Sequence, residues 1–137
     1  MSFTRFRSFL RSRHGALTLL LVWMTVIFSF STLPGKETAG PPPLWYFIER
    51  KGAHVVEYAV LMFLSFRFFQ CSFKRENLVR ILFLAGTFSL MYGVTDELHQ
   101  FFVPGRGARL TDVLIDGMGI LLAGLIIFFF SRNKNRP

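Results

Sequence analysis

Four apolar segments, separated by polar connections, dominate this chain. The first, residues 15–33, contains no charged residue and is long enough to cross about 30 Å of hydrocarbon as a helix. Proline and glycine residues between positions 34 and 43 end it, because proline blocks helix and removes a backbone donor. Three further segments follow at 52–70, 78–102 and 112–131. We therefore predict an all-α fold, an integral membrane four-helix bundle that forms one transmembrane domain over residues 1–137.

The last three segments differ from the first because ionisable residues interrupt them. The second segment contains Glu57 and Arg67. The third carries Asp96 and Glu97 near its end, and the fourth contains Asp116. These residues leave charge-free runs shorter than the roughly 20 residues that usually cross a bilayer. Because ionisable groups inside a membrane are costly and usually functional, the interruptions define a candidate site.

Composition supports the lipid bilayer as the main partner of this chain. Hydrophobic residues make up 52% of it, and charged residues reach 18%, below the roughly 25% of soluble globular domains. A chain of 137 residues has the length of about one domain, which excludes a large multidomain enzyme. The single cysteine, Cys71, excludes an intramolecular disulfide framework and a CxxC metal motif.

The distribution of basic residues predicts the orientation of the bundle. If four helices cross in turn, eleven of the 16 Lys and Arg residues fall on the side of the termini and five on the other side. The positive-inside rule then predicts that both termini are cytoplasmic. The five outer residues are Lys36, Arg50, Lys51, Arg106 and Arg109. Because the basic residues form short clusters at helix ends rather than one basic face, the pattern argues against nucleic-acid binding.

The first segment also has the arrangement of a secretory signal peptide, since arginines precede an apolar stretch. We favour a retained helix. No A-x-A-like cleavage site follows the segment, and its removal would leave three helices.

Polar residues of the second, third and fourth segments meet at one depth in this orientation. Segments two and four start at the outer surface and segment three ends there, so all three deliver polar side chains to the outer leaflet. Helical spacings of three and four place them on one face of each helix. We expect these faces to turn towards one another or towards a water-filled pocket. The predicted ligand-binding residues are Lys51, His54, Glu57, Tyr58, Asp96, Glu97, His99, Gln100, Arg106, Asp112 and Asp116.

Three interpretations of this cluster remain open from the residues alone. In the first, Lys51, Arg106 and Arg109 neutralise the carboxylates and tie the helices together. In the second, Arg106 and Arg109 bind the phosphate of an anionic lipid or glycolipid, and the carboxylates orient the arginines or sugar hydroxyls. Lys51 then assists or pairs with Glu57.

In the third interpretation the cluster is catalytic. Histidines and carboxylates act as acid and base or hold a divalent metal, the one cofactor that the residue types suggest. No H-E-x-x-H, G-x-S-x-G or P-loop motif supports a specific reaction, so whether the chain is an enzyme stays open. The catalytic candidates are His54, Glu57, Asp96 and His99.

Small residues recur every four positions on the third and fourth segments. Ala85, Ser89 and Gly93 form one series, and Gly119 and Ala123 another. Such spacing allows close approach of helix backbones, although small residues are also common in transmembrane helices in general.

Three motifs carry a family resemblance. They are Lys51-x-x-His54-x-x-x-Tyr58, then Asp96-Glu97-x-His99-Gln100 with Pro104-Gly105-Arg106, then Asp112-x-x-x-Asp116-x-x-Gly119. Together they resemble the VanZ-like membrane proteins, over roughly residues 20 to 125. The resemblance implies a multi-pass protein of the bacterial inner membrane, in a family whose namesake is associated with low-level resistance to the glycopeptide teicoplanin. It implies no established reaction.

The expected function combines this context with the polar pocket. Teicoplanin acts on cell-wall precursors outside the membrane, and the pocket is predicted to open on that side. We expect it to engage an anionic cell-envelope lipid, a cell-wall precursor or the glycopeptide itself, and to contribute to teicoplanin-type tolerance. The alternative is an intramembrane hydrolase or transferase, with or without a metal, that acts on an envelope lipid.

Overall fold

Four helices account for most of the chain. The computed structural model describes residues 8–9, 12–34, 44–107 and 109–134. The helices are α1 (Arg13–Ser31), α2 (Leu44–Ser72), α3 (Leu78–Gln100) and α4 (Leu110–Lys134). All four are long and apolar enough to cross a membrane, and no strand occurs in the described ranges. The predicted all-α four-helix membrane bundle is confirmed.

Some of the residues used to predict the orientation lie outside the described residues. They are Arg5, Arg7, Arg11, Lys36, Arg136 and the proline run at 41–43. The orientation of the bundle in a membrane stays a prediction.

Helix boundaries differ from the predicted segments most at the start of α2, which begins at Leu44 rather than at residue 52. The predicted apolar segment starts after three charged residues, Glu49, Arg50 and Lys51. Charged side chains are costly in hydrocarbon, but they do not prevent helix formation. α2 therefore carries additional polar turns at its start. α3 begins at Leu78 as predicted, where the Asn77 side chain accepts a hydrogen bond from the Arg80 amide at 2.8 Å and caps the helix.

Contacts between named residues define the direction of each helix. Tyr58 lies beside Gly93, and the Ser89 hydroxyl donates to Ser65 at 3.3 Å, so α2 and α3 run antiparallel. Val55 lies against Gly119 and Met62 against Gly124, so α2 and α4 run parallel. α2 contacts all three other helices and supplies much of the core. We call the end where α1 and α3 end, and where α2 and α4 begin, the polar end of the bundle.

Small residues lie at the tightest helix contacts, as their spacing predicted. A Cβ added at Gly119 would lie 2.3 Å from the backbone carbonyl oxygen of Val55, so α2 and α4 approach each other there with no room for a side chain. Ala85, Ser89 and Ala123 are buried too. Large apolar side chains cover the outside of the bundle, as lipid requires; Phe83, for example, is 70% exposed.

Candidate functional site

A cavity of about 490 Å³ lies at the polar end of the bundle. Its apolar wall comes mainly from the end of α1. Its polar lining residues are Ser31, Glu49, Arg50, His54, Glu57, Asp96, Gln100 and Arg106. Five of the predicted site residues therefore share one cavity: His54, Glu57, Asp96, Gln100 and Arg106. The remaining six lie outside its lining: Lys51, Tyr58, Glu97, His99, Asp112 and Asp116.

His54 connects the cavity to the interior of the bundle. Its Nδ1 lies 2.9 Å from Oδ1 of Asp116, which is fully buried on α4. The imidazole is itself 7% exposed and lines the cavity. A carboxylate that contacts one ring nitrogen orients the imidazole, as in many histidine general bases and metal ligands.

Asp96 and Gln100 occupy the α3 wall of the cavity. They stand one helical turn apart, and the Gln100 amide Nε2 donates to Asp96 Oδ2 at 3.0 Å. Both side chains are buried. Glu57 is half-buried on the α2 wall, and its backbone carbonyl accepts a hydrogen bond from the Trp23 indole at 3.0 Å.

Arg106 belongs to the turn that follows α3. Gly105 has a φ of 72°, a left-handed conformation that favours glycine, and it turns the chain immediately before the arginine. The Arg106 guanidinium donates to the Phe30 carbonyl at 3.0 Å. Phe30 lies in the last turn of α1, where the helix dipole is negative and carbonyls lack the usual helical partner four residues on; its carbonyl also accepts the Leu33 backbone N–H at 3.3 Å. The bond therefore fixes Arg106 to the wall of the cavity and stabilises the end of α1.

Lys51 pairs with Asp112 rather than with Glu57. Its Nζ contacts Asp112 Oδ1 between α2 and α4. The Asp112 side chain is 6% exposed and that of Lys51 is 29% exposed. The pair is a link between two helix starts, and both of its members lie outside the cavity lining.

His99 is separated from His54. Its ring packs on Phe28 of α1, with centroids 4.7 Å apart, and it does not line the cavity. The two histidines therefore do not form one pair of ligands or one acid and base couple. Arg109 is exposed, and it contributes its backbone N–H, which donates to Glu97 Oε2 at 3.0 Å.

Sequence reasoning missed Glu49 and Arg50 as cavity residues. Arg50 stands four and seven residues before His54 and Glu57, a spacing that places all three on one face of a helix. This spacing could have identified Arg50, but only if α2 had been predicted to start before its apolar segment. α1 also contributes the backbone carbonyls of Met24 and Phe30, whose roles as hydrogen-bond acceptors leave no side-chain signal in the sequence.

Several buried polar atoms near the site have no hydrogen-bond partner among the described residues. They are the Tyr58 hydroxyl, Glu97 Oε1, Gln100 Oε1 and Asp116 Oδ2. Such atoms are uncommon in folded proteins, and their concentration here indicates a place for water, an ion or a ligand. Two of these residues, Glu97 and Asp116, lie close to His54. Each of the three offers a potential metal-ligand atom, and these three atoms all lie within 4.8 Å of one another.

Comparison with known proteins identifies the family. The VanZ/LLP1 family model matches residues 16–131, which extend from α1 to near the end of α4 and contain every site residue discussed above. No curated protein and no solved structure matches the chain. With four helices that can each cross a membrane, the match describes a multi-pass membrane protein. The chain belongs to the VanZ/LLP1 family.

Proposed function

We propose that the cavity binds the head group of an anionic cell-envelope amphiphile, a phospholipid or a lipid-linked cell-wall precursor, at the outer face of the bacterial inner membrane. The observation that carries the proposal is the pairing of two arginines with an apolar wall in one cavity. Arg50 and Arg106 line it together with Ile27 and Phe30 of α1 and with Leu33, which follows that helix. An amphiphile needs both surfaces.

The size of the cavity fits a head group. Ligand pockets measure about 300 to 1,000 Å³, and this cavity measures about 490 Å³. Arginine recognises phosphate through a planar fork of N–H donors. Arg106 is positioned for this task by its bond to the Phe30 carbonyl.

The carboxylates of the cavity narrow the class of ligand. Glu49, Glu57 and Asp96 accept hydrogen bonds and repel bare anions. They suit a head group that carries hydroxyl or amino groups beside its phosphate, such as glycerol or a sugar. A bare inorganic phosphate would lack those donors, so we expect it to bind more weakly.

The outer location rests on the distribution of basic residues. In that orientation the polar end faces the compartment where cell-wall precursors are used and where teicoplanin acts. A protein that holds such a lipid would contribute to teicoplanin-type tolerance by changing access to it.

Native mass spectrometry of the purified protein tests the proposal. Phosphatidylglycerol and a polyprenyl diphosphate that carries a sugar are offered separately, so that the two sources of lipid phosphate are distinguished. We expect Arg106→Gln and Arg50→Gln each to weaken retention of the bound lipid about 10-fold or more, because hydrogen bonds to charged groups contribute about 1.5–3 kcal/mol. Arg109→Gln is the matched control, since Arg109 is an exposed arginine at the same end and outside the cavity lining. Equal retention by all four proteins would contradict the proposal.

An enzymatic function is the alternative, and the His54–Asp116 contact favours it. A histidine oriented by a buried carboxylate and lining a ligand cavity is suited to accept a proton from water or a hydroxyl during hydrolysis or group transfer. Incubation with a radiolabelled polyprenyl diphosphate tests this alternative. Turnover by the wild type that is lost in His54→Gln would support it, and the absence of turnover of any envelope lipid would favour binding alone.

A further inference from the structure

We infer that His54, Glu97 and Asp116 form a site for one divalent transition-metal ion of the Zn²⁺ or Mn²⁺ class, inside the bundle and beside the cavity. The three residues come from three helices, α2, α3 and α4. One potential ligand atom of each lies within 4.8 Å of the other two. The inference concerns a different set of atoms from the arginine cavity and holds whether or not a lipid binds there.

Burial of two carboxylates favours a compensating cation. Glu97 is 3% exposed and Asp116 is 0% exposed, so two carboxylates meet where little water reaches them. Like charges in such surroundings are strongly unfavourable unless a proton or a cation stands between them. Lys51, the nearby lysine, contacts Asp112 instead. A divalent ion would neutralise both carboxylates at once.

The hydrogen bonds of the two carboxylates point to metal ligands. Each has one oxygen engaged by the protein: Asp116 Oδ1 contacts His54, and Glu97 Oε2 accepts the backbone N–H of Arg109. The other oxygen of each, Asp116 Oδ2 and Glu97 Oε1, is buried without a hydrogen-bond partner in the described part of the chain. Metal-binding carboxylates are commonly oriented through one oxygen; for Glu97 the partner is the Arg109 backbone N–H, and for Asp116 it is His54, itself a proposed ligand.

The donor set selects the kind of ion. One imidazole nitrogen with two carboxylates suits Zn²⁺ or Mn²⁺ better than Ca²⁺ or Mg²⁺, which prefer oxygen ligands alone. At metal–ligand distances of about 2.0 to 2.2 Å, tetrahedral ligand atoms are about 3.3 to 3.6 Å apart, so three atoms that lie within 4.8 Å of one another need only small side-chain shifts to surround an ion. Three protein ligands leave at least one position for water or a ligand oxygen, and His54 places the site next to the cavity.

Metal titration of the purified protein tests the inference. The protein in detergent is stripped with a chelator, loaded with Zn²⁺ or Mn²⁺, desalted and analysed for metal by mass spectrometry. We expect one ion per wild-type chain. Asp116→Asn and Glu97→Gln preserve side-chain volume and are expected to weaken binding by at least the roughly 10- to 100-fold that loss of an outer-shell partner causes. Asp112→Asn is the control, because it removes another buried carboxylate one helical turn from Asp116.

The outcomes are distinct. A wild type that retains no stoichiometric ion overturns the inference, and this measurement needs no variant to fold. Equal affinity in the wild type, Asp116→Asn and Glu97→Gln also overturns it, because the ion would then lie elsewhere. Circular dichroism of each variant establishes that its helices are intact. Arg106→Gln, which tests the lipid proposal, is expected to keep the full metal content, so the two proposals fail independently.

Discussion

Replacement of Gly119 by alanine is the sharpest test of how α2 and α4 pack. The new Cβ would lie 2.3 Å from the Val55 carbonyl oxygen and 3.1 Å from both the carbon of that carbonyl and the Val55 Cα. A carbon and an oxygen atom normally stay about 3.3 Å apart, so the two helices must separate by about 1 Å. No side-chain rotation relieves this contact, because its atoms belong to backbone.

The expected loss in the free energy of unfolding follows from the packing that is lost between the two helices. Overpacking typically costs about 1–3 kcal/mol, and a gap of about 0.5–1 Å removes a quarter to a half of each contact along the seam. α2 and α4 form an extensive contact in this bundle, so we expect a loss of about 2–3 kcal/mol in the free energy of unfolding. Separation of the helices would also lengthen the 2.9 Å contact between His54 and Asp116, because Asp116 lies one turn before Gly119.

Gly117→Ala is the matched control on the same helix. A Cβ at Gly117 meets no atom within 4 Å, so the substitution is expected to be neutral or to stabilise α4 by up to about 1 kcal/mol. Both variants are unfolded by titration with SDS in mixed micelles, and helix content is followed by circular dichroism. If Gly119→Ala and Gly117→Ala differ by less than about 0.5 kcal/mol, the close approach of α2 and α4 at Val55 is refuted.

Two further predictions follow from individual contacts and one from the distribution of basic residues. Lys51→Met leaves Asp112 buried without its partner and should reduce the free energy of unfolding by about 1–3 kcal/mol. Adding Asp112→Leu should restore part of this loss. Additive losses in this double-mutant cycle would contradict the pairing. Tyr92→Phe removes the 2.6 Å hydrogen bond from the Tyr92 hydroxyl to the Met24 carbonyl and should lower the free energy of unfolding by about 1 kcal/mol. Tyr58→Phe is the comparison, because the Tyr58 hydroxyl has no hydrogen-bond partner in the described residues. A reporter enzyme that works only in the cytoplasm should be active when it is fused after residue 137. If instead a reporter that works only outside the cytoplasm is active there, the predicted orientation and the outer placement of the cavity are wrong.

The sequence predicted at which end of the bundle the polar residues lie, but not the direction in which each side chain points. It placed the polar residues at one end of the bundle, because alternating helices bring the starts of α2 and α4 to the end of α3. It grouped Asp96, His99 and Gln100 on one face. At about 100° per residue, however, His99 and Gln100 point about 100° apart, and only Asp96 and Gln100 line the cavity. The packing of α3 against α2 and α4 decides which side of α3 faces the cavity, and helix periodicity does not encode it.

Pairing of charges was also beyond the sequence. Lys51 and its predicted partner Glu57 stand six residues apart, rather than the three or four that bring side chains together on a helix, and spacing alone does not rank the carboxylates of the other helices. The bundle settles the choice, since the close approach at Gly119 brings the start of α4 against α2 and with it Asp112 to Lys51. For the same reason the group of His54, Glu97 and Asp116 could not be derived from spacing, since each residue comes from a different helix.

The way α1 is attached has a consequence for how this family should be compared across species. Its Met24 and Phe30 hold Tyr92 and Arg106 through main-chain carbonyl oxygens, which every amino acid possesses. Substitutions at these two positions can therefore accumulate without loss of either bond, provided that the helix persists. Sequence divergence at these two positions should be a poor indicator of divergence in function, and the presence of Tyr92 and Arg106 should be a better guide to whether a relative keeps this attachment.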